Sequence, residues 1–125
     1  MPYAHQVLSA KHIEFPQYHK VYHIKQLGNY IDYDTQNMEA DARFRLESLC
    51  TDLHTNGMTH PIIVSYNAYN VSVGHQRVWY AKSKGYTHID CYHIPNQAAW
   101  EKVFNYTQSN DYWKKYSHSE KHKLS

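Results

Sequence analysis

Between residues 57 and 95 the chain is punctuated by Pro61, Gly74, Gly85 and Pro95, and that spacing constrains the fold more than any other feature. Pro61-Ile62-Ile63-Val64-Ser65-Tyr66 is a short β-rich run, and its leading proline opens a strand without breaking a ladder. Asn67-Ala68-Tyr69-Asn70 turns the chain, and Val71-Ser72-Val73 returns it as a second strand. After Gly74 the pattern becomes helical from His75 to Lys84, and Gly85 closes it. A third strand, 88–94, runs up to Pro95. The unit reads strand–turn–strand–helix–strand.

The flanks are simpler. Ala42, Leu46, Leu49 and Leu53 recur at spacings of three and four, with Cys50 beside them, which predicts a helix over 39–56 stopped at Asn56-Gly57. Lys20 to Lys25 alternates enough for a strand, whereas residues 1–19 are polar and weakly patterned. Asn96 is placed to cap a last helix, 96–110, with Ala99, Val103 and Tyr106 on one face. Residues 111–125 read as a basic tail. At 125 residues, with no repeat and no Gly/Ser/Pro-rich linker, a single α+β domain is expected: a small mixed sheet with flanking helices. A chain of this length buries a core without metal or disulfide staples.

The formal charge is only +2, so no global basic field marks a nucleic-acid binder. Its distribution is more telling. Residues 31–60 hold six acids against Arg43 and Arg45, a balance of −4, whereas residues 61–100 hold Arg77, Lys82 and Lys84 against Asp90, a balance of +2. The unit containing Gly74 is therefore locally basic, which suits an anionic ligand, although scattered surface lysines give the same balance. Cys50 and Cys91 form no CxxC pair, pointing to reduced thiols and a cytoplasmic setting. No apolar run approaches the roughly 20 residues of a membrane helix, and the first residues are not a signal peptide. His19/His23 and His118/His122 are spaced four apart, but neither pair has the Glu of a His-Glu-x-x-His motif, and no metal site is expected.

The residues able to carry chemistry are Gly74-His75-Gln76-Arg77. A glycine between a strand end and a helix start lets the backbone approach a ligand closely. The first N–H groups of a helix have no internal partner, and the macrodipole adds positive potential there, so such an end receives anions. Arg77 offers a bidentate fork to a phosphate, His75 a donor or proton carrier near neutral pH, and Gln76 an amide donor. The plainer alternative is an ordinary strand-to-helix turn with Arg77 paired to an acid such as Asp52. Trp79 and Tyr80, just after the turn, are candidates to stack on a base or to fill the core.

Three pieces stand in order: Asn56-Gly57-Met58-Thr59-His60-Pro61-Ile62-Ile63-Val64, then Tyr69 to Ala81 around the turn, then Lys84-Gly85-Tyr86 ahead of the strand ending at Pro95. Together they resemble the ParB/sulfiredoxin superfamily, in particular the N-terminal, nuclease-like domain of ParB-like proteins, over about residues 39–95. In that family a helix ends at Gly, a Pro-Ile-x-Val strand follows, and a Gly-Glu-Arg-Arg turn opens a helix. The resemblance implies a small α+β fold and a pocket at the turn for a nucleotide, CTP or ATP with Mg²⁺, or for a nucleic-acid phosphate. It further implies a DNA-associated role. The composition and size would suit a phage or mobile element, and a second copy of the chain is a candidate partner.

The turn departs from the family pattern at its centre. His75 stands where ParB-like proteins carry Glu, and Gln76 where they carry the first Arg, which removes a carboxylate suited to a metal–nucleotide complex and one phosphate-binding charge. Sulfiredoxins carry a reactive Cys at the position of His75, so this chain is not a sulfiredoxin. Two other function classes stay open. One is an enzyme, a nuclease or small-substrate phosphotransferase with His75 as acid/base. The other is a non-catalytic protein-binding adaptor.

Overall fold

Six residues, His88–His93, organise the sheet. The computed structural model describes residues 6–66 and 68–114. In chain order its elements are β1 (Val7–Leu8), β2 (His19–His23), α1 (Ala40–Asn56), β3 (Ile62–Val64), β4 (Val71–Val73), α2 (His75–Ser83), β5 (His88–His93), α3 (Gln97–Thr107) and α4 (Asn110–Lys114). β2 runs antiparallel along β5 from residue 88 to residue 92. β1 pairs in parallel with residues 88 and 89, and β3 pairs in parallel with residues 91–93. Since β2 occupies one edge of β5, β1 and β3 meet the other edge in succession. β4 lies antiparallel outside β3, with a bulge between Ile63 and Val64. The result is the expected α+β architecture, a mixed five-stranded sheet with helices.

Period-two alternation sends side chains of the central strands to opposite faces. Ile62, Val64, Ile89 and Cys91 join Leu49 and Leu53 of α1 and Val78, Tyr80 and Ala81 of α2 in the larger core. Ile63 and Tyr92 face the other way, with Phe15, Ile94 and the α3 residues Ala99 and Val103. Helices thus cover both faces, which is why β3 is apolar throughout, whereas β5 interleaves His88, Asp90 and His93 with its apolar residues. α1 stops at Gly57, whose φ of 78° few side chains tolerate and whose N–H donates to the Leu53 carbonyl.

Several boundaries differ from the sequence expectation, and the run 61–66 is a strand only over Ile62–Val64. The expected strand over 20–25 is His19–His23, because at Ile24 the chain enters a 3-10 turn capped by the His23 side chain. β1 arises in the segment that carries no pattern. Its two residues are held by pairing with β5 and by the Gln6 carbonyl, which accepts from the N–H groups of Thr87 and His88. The single helix expected over 96–110 is broken. Ser109 Oγ donates to the Tyr106 carbonyl at 2.6 Å and accepts from Tyr112 N at 3.2 Å, ending α3 and starting α4 as an N-capping serine does. Residues 111–114, expected as tail, are helical, and the rest of that tail, with His118 and His122, lies outside the described residues. Cys50 and Cys91 are both free thiols. No described helix is long and apolar enough to cross a membrane.

Candidate functional site

Gly74 ends β4 and begins α2 with φ 110° and ψ 23°, in the left-handed region. A Cβ placed there would lie 2.5 Å from Ile62 Cγ2 and 2.8 Å from Ile62 Cβ, and Ile62 is fully buried beneath it. The conformation and the space each require glycine. No side chain caps α2, whose first i to i−4 bond runs from Val78 N to the Gly74 carbonyl at 3.0 Å. α3, by comparison, is capped by Asn96 Oδ1 on Ala99 N.

The start of α2 opens on a cavity of about 340 Å³. Gly74, His75, Gln76 and Arg77 all line it, so the fold brings the four sequence-selected residues to one place. The remaining walls come from Tyr33 in the loop before α1, Leu49 of α1, Val73 of β4, and Tyr112 and Trp113 of α4. None of the described residues lining it is an acid, so an anion meets no like charge from them.

Arg77 is not the solvent-facing fork that the turn suggested. It is 8% exposed, and its Nη1 donates to the His60 carbonyl at 2.6 Å, with a longer approach of 3.4 Å to Pro61 O. The side chain ties the first turn of α2 to the segment entering β3 while presenting a permanent positive charge beside the cavity. His75 is half-buried. Its Nδ1 is shielded from solvent and has no hydrogen-bond partner among the described residues, and burial holds its pKa below the usual histidine value. The imidazole is therefore neutral around pH 7. Gln76 lies half-buried on the same wall.

The two aromatic residues after the turn do not line this cavity. Trp79 packs edge-on against Tyr33, with ring centroids 6.1 Å apart. Tyr80 is 3% exposed within the main core and borders a different depression with Tyr86. Position 80 lies on the buried side of α2 with Val78 and Ala81.

The aromatic walls that sequence reasoning missed are Tyr33, Tyr112 and Trp113. Tyr33 sits in an acidic loop without periodicity. The pair Tyr112-Trp113 did carry a signal, because two large aromatic residues in a polar segment mark burial. Tyr112 stacks on the His60 ring with centroids 3.9 Å apart and planes 11° from parallel. His60, 1% exposed, also donates from Nε2 to the Tyr112 carbonyl at 3.0 Å. One residue thereby touches α4 through its ring and Arg77 through its carbonyl. Among the described residues, no three His, Cys, Asp or Glu side chains gather where they could hold a metal ion.

No family model matches the sequence, and no curated protein matches it. Among solved structures the chain is similar to the C-terminally truncated chromosome-partitioning protein ParB from Caulobacter crescentus, crystallised as a complex with CTP-γ-S. The TM-score is 0.48 at 18% identity, over 73% of this chain and 53% of that one. The chain spans about half the length of that structure.

Proposed function

We infer that this chain is a ParB-like domain that binds a nucleotide or nucleic-acid phosphate at the turn from Gly74 to Arg77, in a DNA-associated role. The observation that carries this reading is the opening of an uncapped helix start onto a cavity whose wall includes a buried guanidinium. The backbone N–H groups of a first helical turn, the dipole and a permanent cation all favour the same occupant, an anion. The order of motifs in residues 39–95 supports a nucleotide such as CTP or ATP. Mg²⁺ would then be held chiefly by the phosphates, its common mode of binding.

A thermal-shift screen of the four common nucleoside triphosphates, with and without Mg²⁺, tests the reading. Binding at 100 times Kd stabilises a fold by about 2.7 kcal/mol, so a rise of several degrees is expected for at least one of them. No shift with any nucleotide or with inorganic polyphosphate would remove the proposal.

The enzyme reading draws on His75, a cavity-lining imidazole whose burial keeps it neutral and so able to accept a proton near pH 7. Mg²⁺-dependent release of inorganic phosphate or pyrophosphate by wild type, abolished in His75→Ala, is the result that reading expects.

A further inference from the structure

We propose that Trp113 and Tyr33 form the base-binding subsite of this cavity, so that its occupant is a free mononucleotide. This rests on the reading of residues 74–77 as a phosphate site. Tyr33 and Trp113 come from segments some eighty residues apart in the chain, yet both line the cavity that the turn opens on.

Both rings have aromatic neighbours. Tyr33 meets Trp79 at right angles with centroids 6.1 Å apart. Trp113 meets Tyr112 edge-on at 4.9 Å, and Tyr112 is itself seated on the His60 ring. Ordering a planar wall in advance lowers the entropic cost of stacking a base on it. Aromatic faces accept any base, because every base has a π-face, and one wall of donors beside other walls of aromatic rings matches the two chemistries of a nucleotide. Size points the same way. At about 340 Å³ the cavity lies near the lower end of the roughly 300–1,000 Å³ usual for small-molecule sites, which suits one nucleotide and not a strand of DNA.

Calorimetric titration of the full chain with CTP, ATP and inorganic tripolyphosphate, each with Mg²⁺, separates the subsite from the phosphate reading beneath it. Wild type should bind at least one nucleotide more tightly than tripolyphosphate. Trp113→Ala should weaken that nucleotide by about five- to a hundredfold, the range of one base–aromatic stack, and leave tripolyphosphate unchanged. Trp113→Phe, which keeps a ring, should retain most of the affinity, and Tyr33→Ala should lose part of it. Equal affinity of wild type for nucleotide and tripolyphosphate would overturn the subsite while leaving the phosphate site standing. So would an equal loss of both ligands in Trp113→Ala, the mark of a merely structural residue. A short single-stranded oligonucleotide that outcompetes the mononucleotide would also overturn it. Failure of every phosphate compound to bind would overturn both readings together.

Discussion

At the scale of single residues, Arg77 and His75 behave differently from what their positions in the turn suggest. An arginine in a first helical turn has every sequence reason to face a ligand. Here its Nη1 is bonded to the His60 carbonyl in a nearly closed environment. Arg77→Ala should therefore destabilise the fold by about 1.5–3 kcal/mol, the range for a hydrogen bond to a charged group, measured as a lower urea midpoint at unchanged slope. A change below about 0.5 kcal/mol, the usual size for an uninvolved surface site, would show that the bond to His60 contributes nothing. His75 adds a pH dependence of definite sign. Burial lowers its pKa in the fold, so below about pH 6.5 the unfolded chain binds more protons there than the native one. Stability contributed at this site is full above the unfolded pKa, declines as pH falls toward the folded pKa, and is constant below that. Comparing urea midpoints at pH 7.5 and 5.5, the decline should be smaller in His75→Gln than in wild type. An anion in the cavity favours the charged ring, so phosphate affinity should rise as pH drops through the same range. Identical declines in the two proteins would contradict the assignment.

At the scale of elements, what could be read from sequence depended on how local the determinant was. The strand–turn–helix unit was legible because proline and glycine act on their own backbones. Gly74 is the clearest case, since its φ of 110° and the closeness of Ile62 both exclude a side chain. β1 was not legible, as two residues carry no periodicity and exist as a strand only by pairing with β5. The break between α3 and α4 hung on one hydroxyl. Ser109→Ala removes both the bond to Tyr106 O and the cap on Tyr112 N. It should cost about 0.5–2 kcal/mol and speed amide exchange at Tyr112 and Trp113 relative to the strands. Unchanged exchange in α4 would mean that the contacts of Tyr112 with His60, and not the serine cap, hold it. The missed half of the site followed from the same limit. Residues 74–77 are contiguous and could be read together, whereas Tyr33, Tyr112 and Trp113 reach the cavity only through tertiary packing.

At the scale of the whole molecule, a sheet covered on both faces explains why β3 is wholly apolar and why one of the two free cysteines is closed off. Cys91 is fully buried, and burial pushes its thiol up to about 12, leaving almost no thiolate at neutral pH. Iodoacetamide on the native protein should therefore modify at most Cys50, and both cysteines only after unfolding. Double labelling of the native chain would show that the core opens. The same covered sheet leaves the end of β4 and the start of α2 at a rim, where α1, α4 and the loop carrying Tyr33 converge on one cavity. That convergence places a cavity at the turn. The most direct test is a ¹H–¹⁵N correlation titration of the full chain with Mg²⁺·CTP and Mg²⁺·ATP. With at least one of them, the backbone amides of His75, Gln76 and Arg77 should show the largest saturable shifts, with the indole N–H of Trp113 moving along the same isotherm. Saturable shifts confined to other surfaces, with those three amides still, would contradict the account.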